Sequence, residues 1–307
     1  MRPVNHTGQA FGLLFRDSRP LPELQAADDR LAGANAAIDI DWLEPVSLAA
    51  PIGPAGATFQ YAQGVFELRV AGVGLYGVTA DRITITPEPG ADERQLRLVL
   101  FGSAVGALLC LRGLTVLHGS AVALPDGSAA VFCGLSTAGK STLAAALAGR
   151  GHPTLADDIA AVRFDAAGQA WCLPGLARAK LWRDALDTLG LSYLTSVTTR
   201  VMPQFDKHSL PLTTAAAALP LRRCYELQAS DDAGQLHFQA VTGMDKVTLL
   251  LSHGYRPAFV LAMGEQAALL RSAAALARQL SVERITRPRQ QATLSAIVAR
   301  LEAQWAL

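Results

Sequence analysis

The chain has 307 residues, half of them hydrophobic, and a formal net charge of +1 at neutral pH. This length suits one large domain or two unequal ones, with enough apolar residues for a substantial core. A nearly neutral chain without a basic stripe argues against a nucleic-acid-binding protein, because such proteins carry clustered Lys and Arg.

The first 90 residues predict a β-rich domain. Short apolar runs and alternating patterns mark strands there, and Gly, Pro and Asp separate them. In the run AIDIDW, Ile38 and Ile40 fall on one face and two aspartates on the other. The predicted strands are residues 11–15, 36–42, 59–61, 65–70, 74–78 and 82–86. Proline and glycine at 87–90 place a domain boundary near residue 90.

Residues 91–307 predict an α/β domain. The predicted helices are residues 92–112, 140–150 (closed by Gly151), 181–190, 267–280 and 291–305. The predicted strands are residues 114–118 (with 119–123 as an open continuation), an antiparallel partner at 129–133, then 154–158, 162–164, 222–227 and 259–263. The basic stretch at 284–289 is interpreted as a solvated face.

The cysteine pattern and the apolar runs bear on the compartment. The four cysteines are far apart and form no CxxC pair, so we expect free buried thiols in a reducing cytoplasm. The N-terminus lacks the apolar core of a signal peptide. The most apolar run, residues 98–111, is shorter than the roughly 20 residues of a bilayer span and predicts a buried helix. We therefore expect a cytoplasmic protein that does not contact membranes.

One segment matches the phosphate-loop pattern GxxxxGK[ST] in full. Glycines let backbone N–H groups turn inward around phosphate oxygens, and the helix after the loop adds its positive end. Its lysine is expected at the β- and γ-phosphates and its serine on Mg²⁺. We predict that ATP and Mg²⁺ bind here; a glycine turn without a ligand is the weaker alternative, because an apolar strand precedes the motif and a helix follows. The predicted contacts are Gly134, Leu135, Ser136, Thr137, Ala138, Gly139, Lys140, Ser141 and Thr142.

Asp157 and Asp158 end the strand that follows the phosphate-loop helix. Ligands collect outside the carboxyl ends of parallel strands, so the pair is expected to face the same phosphates. One carboxylate could hold Mg²⁺ and the other could accept the proton of an attacking hydroxyl. A solvated turn is the alternative for the pair. His118 ends another apolar strand, where a histidine is more often a satisfied core residue than a catalytic one.

Together, residues 117–119, 134–141 and 150–158 resemble the catalytic domain of HPr kinase/phosphorylase. That family is a P-loop kinase fold related to ATP-type phosphoenolpyruvate carboxykinase. The resemblance implies that Asp157 accepts the substrate proton, that His118 is an active-site residue, that Lys140 contacts phosphate and that Ser141 binds metal, which leaves Asp158 as a metal ligand.

The phosphate loop departs from the family's usual GxSGxGKS at Thr137 and Ala138, and Thr142 stands where an acidic residue is usual. The family's later glycine-rich signature, with its metal-binding glutamate, has no match in this chain. These departures indicate a divergent relative and not an HPr kinase proper.

Residues 11–24, 175–182 and 206–212 resemble HPr-kinase-like proteins of ribosomal peptide biosynthesis, notably the lasso-peptide kinases. Such kinases phosphorylate the C-terminal serine of a precursor peptide. The resemblance adds Arg178, Lys180 and Lys207 as cations for the γ-phosphate. For each of them, an ordinary surface position is an equal alternative.

The sequence therefore predicts a serine kinase that acts on a peptide or small protein. An HPr-type carrier-protein kinase, a small-molecule kinase and a nucleotide-binding regulator without chemistry remain alternatives. No readable pattern identifies the acceptor. A homo-oligomer stays open: the family that the chain resembles is hexameric, yet no interface is recognisable in the sequence.

Overall fold

A computed structural model describes residues 6–27, 37–47, 56–176, 178–196, 198–202, 205–211, 215, 217–231, 234–289 and 293–306. The chain is a mixed α/β protein, and its described strands form sheets of seven, nine and three strands. It divides into two compact units: Met1–Leu114 with Arg256–Gln266, and Thr115–Tyr255 with Ala267–Leu307. The first unit extends past residue 90, where the sequence places a boundary, and includes the helix predicted at 92–112.

The first unit contains the seven-stranded sheet, in the order β1-β2-β3-β7-β6-β5-β4. Alternation along the strands produces its core, since Ile38 and Ile40 are buried together with Ile83 and Ile85 from a neighbouring strand. The strands are β1 (His6–Ala10), β2 (Leu13–Asp17), β3 (Ala37–Trp42), β4 (Ala57–Ala62), β5 (Val65–Val70), β6 (Gly74–Val78) and β7 (Arg82–Pro87).

The strand predicted at residues 11–15 begins later, at Leu13. Phe11, with a φ of 57°, and Gly12 form the turn between β1 and β2. The sequence missed β1 because its polar run HTGQA carries no apolar alternation.

A single helical stretch, Glu93–Leu111, covers the helix predicted at 92–112. It consists of α1 (Glu93–Val99), a π-helical segment (Leu100–Ala104) and α2 (Val105–Leu111). Among the described residues it is the one helix long and apolar enough to cross a membrane, by length and composition alone. However, 61% of its most apolar window is buried inside the protein, and the core helix of a soluble protein meets the same criterion.

The second unit contains the nine-stranded sheet, in the order β11-β9-β10-β17-β13-β12-β8, with β19 pairing β17 and β18 pairing β19. Its strands are β8 (Thr115–Leu117), β9 (Gly119–Ala123), β10 (Ala129–Gly134), β11 (Thr154–Ala156), β12 (Ala160–Phe164), β13 (Ala170–Cys172), β17 (Leu219–Ser230), β18 (His237–Ala240) and β19 (Ser281–Pro288). The three-stranded sheet contains β14 (Arg178–Trp182), β15 (Thr199–Met202) and β16 (Phe205–Pro211).

The remaining described α-helices are α3 (Lys140–Ala148), α4 (Arg183–Thr188), α5 (Gly243–Ser252), α6 (Pro257–Ala262), α7 (Gln266–Gln279) and α8 (Leu294–Trp305). Strands β10, β17 and β19 run parallel, so their carboxyl ends meet at one edge of the sheet, where α3 begins. At its far end α3 closes as predicted: Gly151 has a φ of 95°, and the N–H of His152 donates to the Leu147 carbonyl at 3.1 Å.

One predicted element is wrong, and another is shorter than predicted. Residues 259–263 form no strand but lie largely in α6, in the first unit, where Phe259 packs on Phe66 at 4.6 Å between ring centroids. A short apolar run does not distinguish a buried strand from a buried helix, and Pro257 at the first helical position favours the helix. The helix predicted at 181–190 is shortened to α4, because its first residues belong to β14.

The basic stretch at 284–289 is only partly solvated. It lies in or next to β19, a strand that the sequence did not predict, and Arg284 Nε donates to the buried carboxylate of Glu226 at 2.6 Å. The four cysteines are free, as predicted: Cys110 is half-buried and the other three are buried. Burial raises the pKa of Cys110 to about 11.

The helix α3 is held against the sheet by Leu147, which is fully buried. We expect Leu147→Ala to lower the free energy of unfolding by about 2–5 kcal/mol, because it removes buried methyl groups and leaves a cavity. Urea unfolding followed by circular dichroism measures this. The control is Leu270→Ala on α7, where the side chain is 52% exposed and the loss should stay within about 0.5 kcal/mol. Equal losses in the two variants would contradict the packing of Leu147 between α3 and the sheet.

Candidate functional site

The phosphate loop connects β10 to α3 and has the backbone form that its sequence predicts. Gly134 and Gly139 have φ values of 145° and 101°. A Cβ on Gly134 would lie 2.5 Å from the carbonyl oxygen of Leu227 on the parallel strand β17, so only glycine fits there. Thr137 also has a positive φ, 68°, which is strained for a β-branched residue.

Lys140 is buried at the first position of α3. Its ammonium donates hydrogen bonds to two carbonyls of the loop, Gly134 O at 2.8 Å and Leu135 O at 3.0 Å. Burial lowers the pKa of Lys140. The positive charge is therefore already held at the loop, beside the backbone N–H groups that would receive phosphate oxygens.

Asp157 is buried and ties together three elements. Its Oδ1 accepts hydrogen bonds from Ser120 Oγ on β9 and Ser141 Oγ on α3, both at 2.7 Å. Its Oδ2 accepts the backbone N–H of Lys180 on β14 at 3.0 Å. Each carboxylate oxygen is thus occupied by donors of the protein, and one of those donors is the serine of the phosphate loop.

Asp158 faces a different set of partners. Its Oδ2 lies 3.0 Å from Lys180 Nζ, and its Oδ1 lies 3.4 Å from His118 Nδ1. Burial opposes the charged form of Asp158, but the Lys180 ammonium, together with His118 and Lys207, outweighs burial and holds the pKa of the carboxyl at about 2. Asp158 also has a φ of 73°, a left-handed conformation that turns the chain directly after Asp157.

The Nδ1 atom of the His118 ring lies 3.1 Å from the Asp158 carbonyl oxygen. A carbonyl only accepts, so Nδ1 carries the proton and Nε2 is the accepting nitrogen of the neutral ring. Burial, and then the charge of Lys140, lower the pKa of His118. The ring is therefore neutral at neutral pH.

The sequence did not predict a set of hydrogen-bonded polar side chains that is linked to the backbone of His118. The N–H of His118 donates to the His253 carbonyl at 2.8 Å, and His253 Nε2 lies 2.8 Å from Glu226 Oε1. Arg284 binds the other oxygen of Glu226. The only signal in the sequence is one glutamate between Tyr225 and Leu227 in strand β17, and its partners come from distant segments.

A cavity of about 880 Å³ brings most of the predicted site residues together. It is lined by His118, residues 136–142, Asp157, Asp158, Lys180 and Lys207. Gly134, Leu135 and Arg178 do not line it; Leu135 is 81% exposed, and Arg178 lies at the start of β14. Lining residues that the sequence did not single out as a site include Arg183, Asp184, Asp206, Arg287, Leu294 and Ile297.

The residues at the phosphate loop are suited to hold a Mg²⁺ ion that is also bound by the phosphates of the nucleotide. The described part of the chain contains no group of three or more His, Cys, Asp or Glu placed to hold a metal. Mg²⁺ needs less, because one or two carboxylates and the substrate phosphates usually complete its shell with water. Ser141 and Asp157, 2.7 Å apart, provide such a pair, whereas the Asp158 carboxylate is engaged by Lys180 and His118.

The positive φ of Thr137 is expected to lower the free energy of unfolding of the protein. Thr137→Gly should raise the free energy of unfolding by up to about 1 kcal/mol, because relief of the strained backbone exceeds the added entropy of the unfolded chain. Thermal unfolding measures the gain. Ser136→Gly is the matched control, since Ser136 has no positive φ, and it should lose about 0.5–1 kcal/mol. A loss in both variants would show that Thr137 is unstrained.

Lys180→Met should raise the pKa of Asp158 from about 2, because burial is then opposed only by the weaker effects of His118 and Lys207. In the unmodified protein the depressed pKa stabilises the fold above about pH 3.9, and that contribution is lost as the pH falls towards 2. Carboxyl ¹³C NMR measures the titration, and Lys207→Met, which leaves the ion pair in place, is the control with a smaller rise. An unchanged pKa in Lys180→Met would refute the pairing.

No protein-family model matches the chain, and no curated protein matches it. The chain is similar to a solved structure of the HPr(Ser) kinase/phosphatase from Coxiella burnetii, with 11% sequence identity and a TM-score of 0.29. That similarity covers 62% of this chain and 89% of the other. Similarity at this level leaves the function to be inferred from the geometry of the site.

Proposed function

We propose that the protein is an ATP-dependent serine kinase that acts on a peptide or small protein in the cytoplasm. One observation carries the proposal: a phosphate loop, an aspartate hydrogen-bonded to its serine, and an aspartate–histidine pair line one cavity. Nucleotide binding alone would need only the loop. The added acid and base groups are those that transfer of a phosphoryl group to a hydroxyl requires.

The loop and its lysine would bind the phosphates. Backbone N–H groups of the loop and the Lys140 ammonium would exchange their present surroundings for phosphate oxygens, which are stronger acceptors than the carbonyls of Gly134 and Leu135. Ser141 and Asp157 would hold Mg²⁺. When bound, that ion supplies positive charge to the β- and γ-phosphates.

We assign His118 as the group that accepts the proton of the acceptor hydroxyl, and Asp158 as the carboxylate that assists it. The resemblance to HPr kinase implies Asp157 instead, but the Asp157 oxygens accept three hydrogen bonds from protein donors. His118 is neutral at neutral pH, and its accepting nitrogen, Nε2, has no hydrogen-bond partner among the described residues, while Asp158 lies beside Nδ1. A carboxylate in that place orients the ring and stabilises the imidazolium that forms.

Two lysines would stabilise the transferred phosphoryl group. Lys180 already lies beside Asp158, and its side chain is only 12% exposed. Lys207 lines the cavity with its ammonium 5.6 Å from the centre of the Trp182 ring. Positive charge at these places would stabilise the oxygens of a loose phosphoryl-transfer transition state. Arg178 does not line the cavity, so we give it no phosphate contact.

The acceptor that we propose is the C-terminal serine of a ribosomally made precursor peptide of the lasso type. The support is the resemblance of residues 11–24, 175–182 and 206–212 to kinases of that kind. Two of these segments contribute to the cavity wall, through Trp182 and Lys207. An HPr-type protein and a small metabolite are the competing acceptors.

Transfer of label from [γ-³²P]ATP to a peptide ending in serine tests the proposal. We expect Asp158→Asn and His118→Asn to lower transfer by about 10²–10⁴-fold while Mg²⁺-dependent ATP binding persists. Asp157→Asn should instead lose the Mg²⁺ dependence of binding. Asp165→Asn, in an exposed turn outside the cavity, is the control and should leave transfer unchanged.

The outcomes separate the alternatives. Full transfer by Asp158→Asn and His118→Asn, with loss only in Asp157→Asn, would return the base role to Asp157. ATP binding without transfer to peptide, protein or metabolite would favour a regulator and contradict the kinase.

A further inference from the structure

We propose that the cavity has a separate nucleoside subsite, in which the Arg287 guanidinium stacks on the base of the nucleotide against Leu294 and Ile297. This inference rests on the proposed function, because it assumes that the phosphates lie in the phosphate loop. It adds the position of the base, and so also the side from which the acceptor enters.

The cavity has two ends of different chemistry, and both lie within the second unit. One end is formed by β14, α4 and β16, and is lined by Trp182, Arg183, Asp184, Asp187, Asp206 and Lys207. The other end is formed by β17, β19 and the first turns of α8, and is lined by Leu227, Arg287, Thr293, Leu294 and Ile297.

The strand order places these ends on opposite sides of the loop. Strands β9 and β11 lie on one side of β10, with Asp157 and Asp158 following β11, whereas β17 and β19 lie on the other side. Arg287 is therefore two strands away from the loop, roughly 10 Å at the usual strand spacing. A ribose and base attached to phosphates in the loop can span that separation.

Arg287 differs from the arginines next to it. Arg284 binds Glu226 and Arg289 binds Asp231, but the guanidinium of Arg287 makes no hydrogen bond or ion pair with any residue in the described part of the chain. It is half-buried and lines the cavity. A planar guanidinium without a partner is suited to stack on a flat aromatic ligand.

The apolar side of this end comes from α8. Ile297 is buried and Leu294 is partly buried, and both line the cavity. Ligand sites of this kind combine an apolar wall with a few polar groups. No carboxylate lines this end among the described residues, so nothing there repels the nucleotide. The opposite end carries three carboxylates, Asp184, Asp187 and Asp206, beside the cations Arg183 and Lys207, and it is left to the acceptor and the transferred phosphoryl group.

Calorimetric titration with ATP and with inorganic tripolyphosphate, both with Mg²⁺, tests the assignment. Tripolyphosphate occupies the loop but lacks the nucleoside. We expect Arg287→Ala to weaken ATP binding about tenfold and to leave tripolyphosphate binding within twofold. Arg287→Lys, which keeps the charge but not the planar group, should weaken ATP binding similarly. Trp182→Ala, at the opposite end, should leave the affinity for both ligands unchanged.

Equal weakening of both ligands by Arg287→Ala would show a phosphate contact and overturn the proposal. Weakening of ATP by Trp182→Ala but not by Arg287→Ala would place the base at the other end and also overturn it. If neither ligand binds the unmodified protein, the proposed kinase function itself fails, which is a distinct result. Unchanged thermal unfolding of Arg287→Lys confirms that any loss of affinity is local.

Discussion

The carboxylate of Asp157 is the contact on which the site depends. It follows β11 and accepts hydrogen bonds from β9, from α3 and from the backbone of β14. Those elements belong to different sheets and to the phosphate-loop helix. A buried carboxylate needs such donors, because without them its desolvation would be costly. The same bonds that satisfy Asp157 therefore bring the loop, the aspartate pair and the three-stranded sheet to one cavity.

Neighbouring aspartates acquire different chemistry from this arrangement. Asp157 is surrounded by hydroxyl and amide donors, whereas Asp158 turns through a left-handed φ towards Lys180 and His118. The pKa of Asp158 is held low by the ammonium, and the pKa of His118 is lowered by burial. The charged Asp158 carboxylate can orient the neutral His118 ring, and that ring can accept a proton. The Asp157 carboxylate, which is hydrogen-bonded to the loop serine, is suited to bind a metal.

The parts of the fold that were predicted well are those with local causes. Strands β5 and β6 begin and end where alternation and glycine turns place them. The phosphate-loop helix follows from its glycines. Residues 259–263 were predicted wrongly because FVLAM has no period that distinguishes strand from helix. Strand β19 was missed because its charged residues, taken from the sequence alone, indicate a solvent-exposed segment. In the fold, Arg284 of β19 binds Glu226 on β17.

The phosphate loop, the aspartate pair and the β-rich beginning of the chain could be predicted from the residues alone, because they follow from spacing, glycine conformation and short-range alternation. The fold was needed to show which aspartate contacts Ser141, which one contacts His118, and that Arg287 lines the same cavity. Those relations depend on the order of strands in the sheet and on contacts between residues far apart in the chain. No local pattern encodes them.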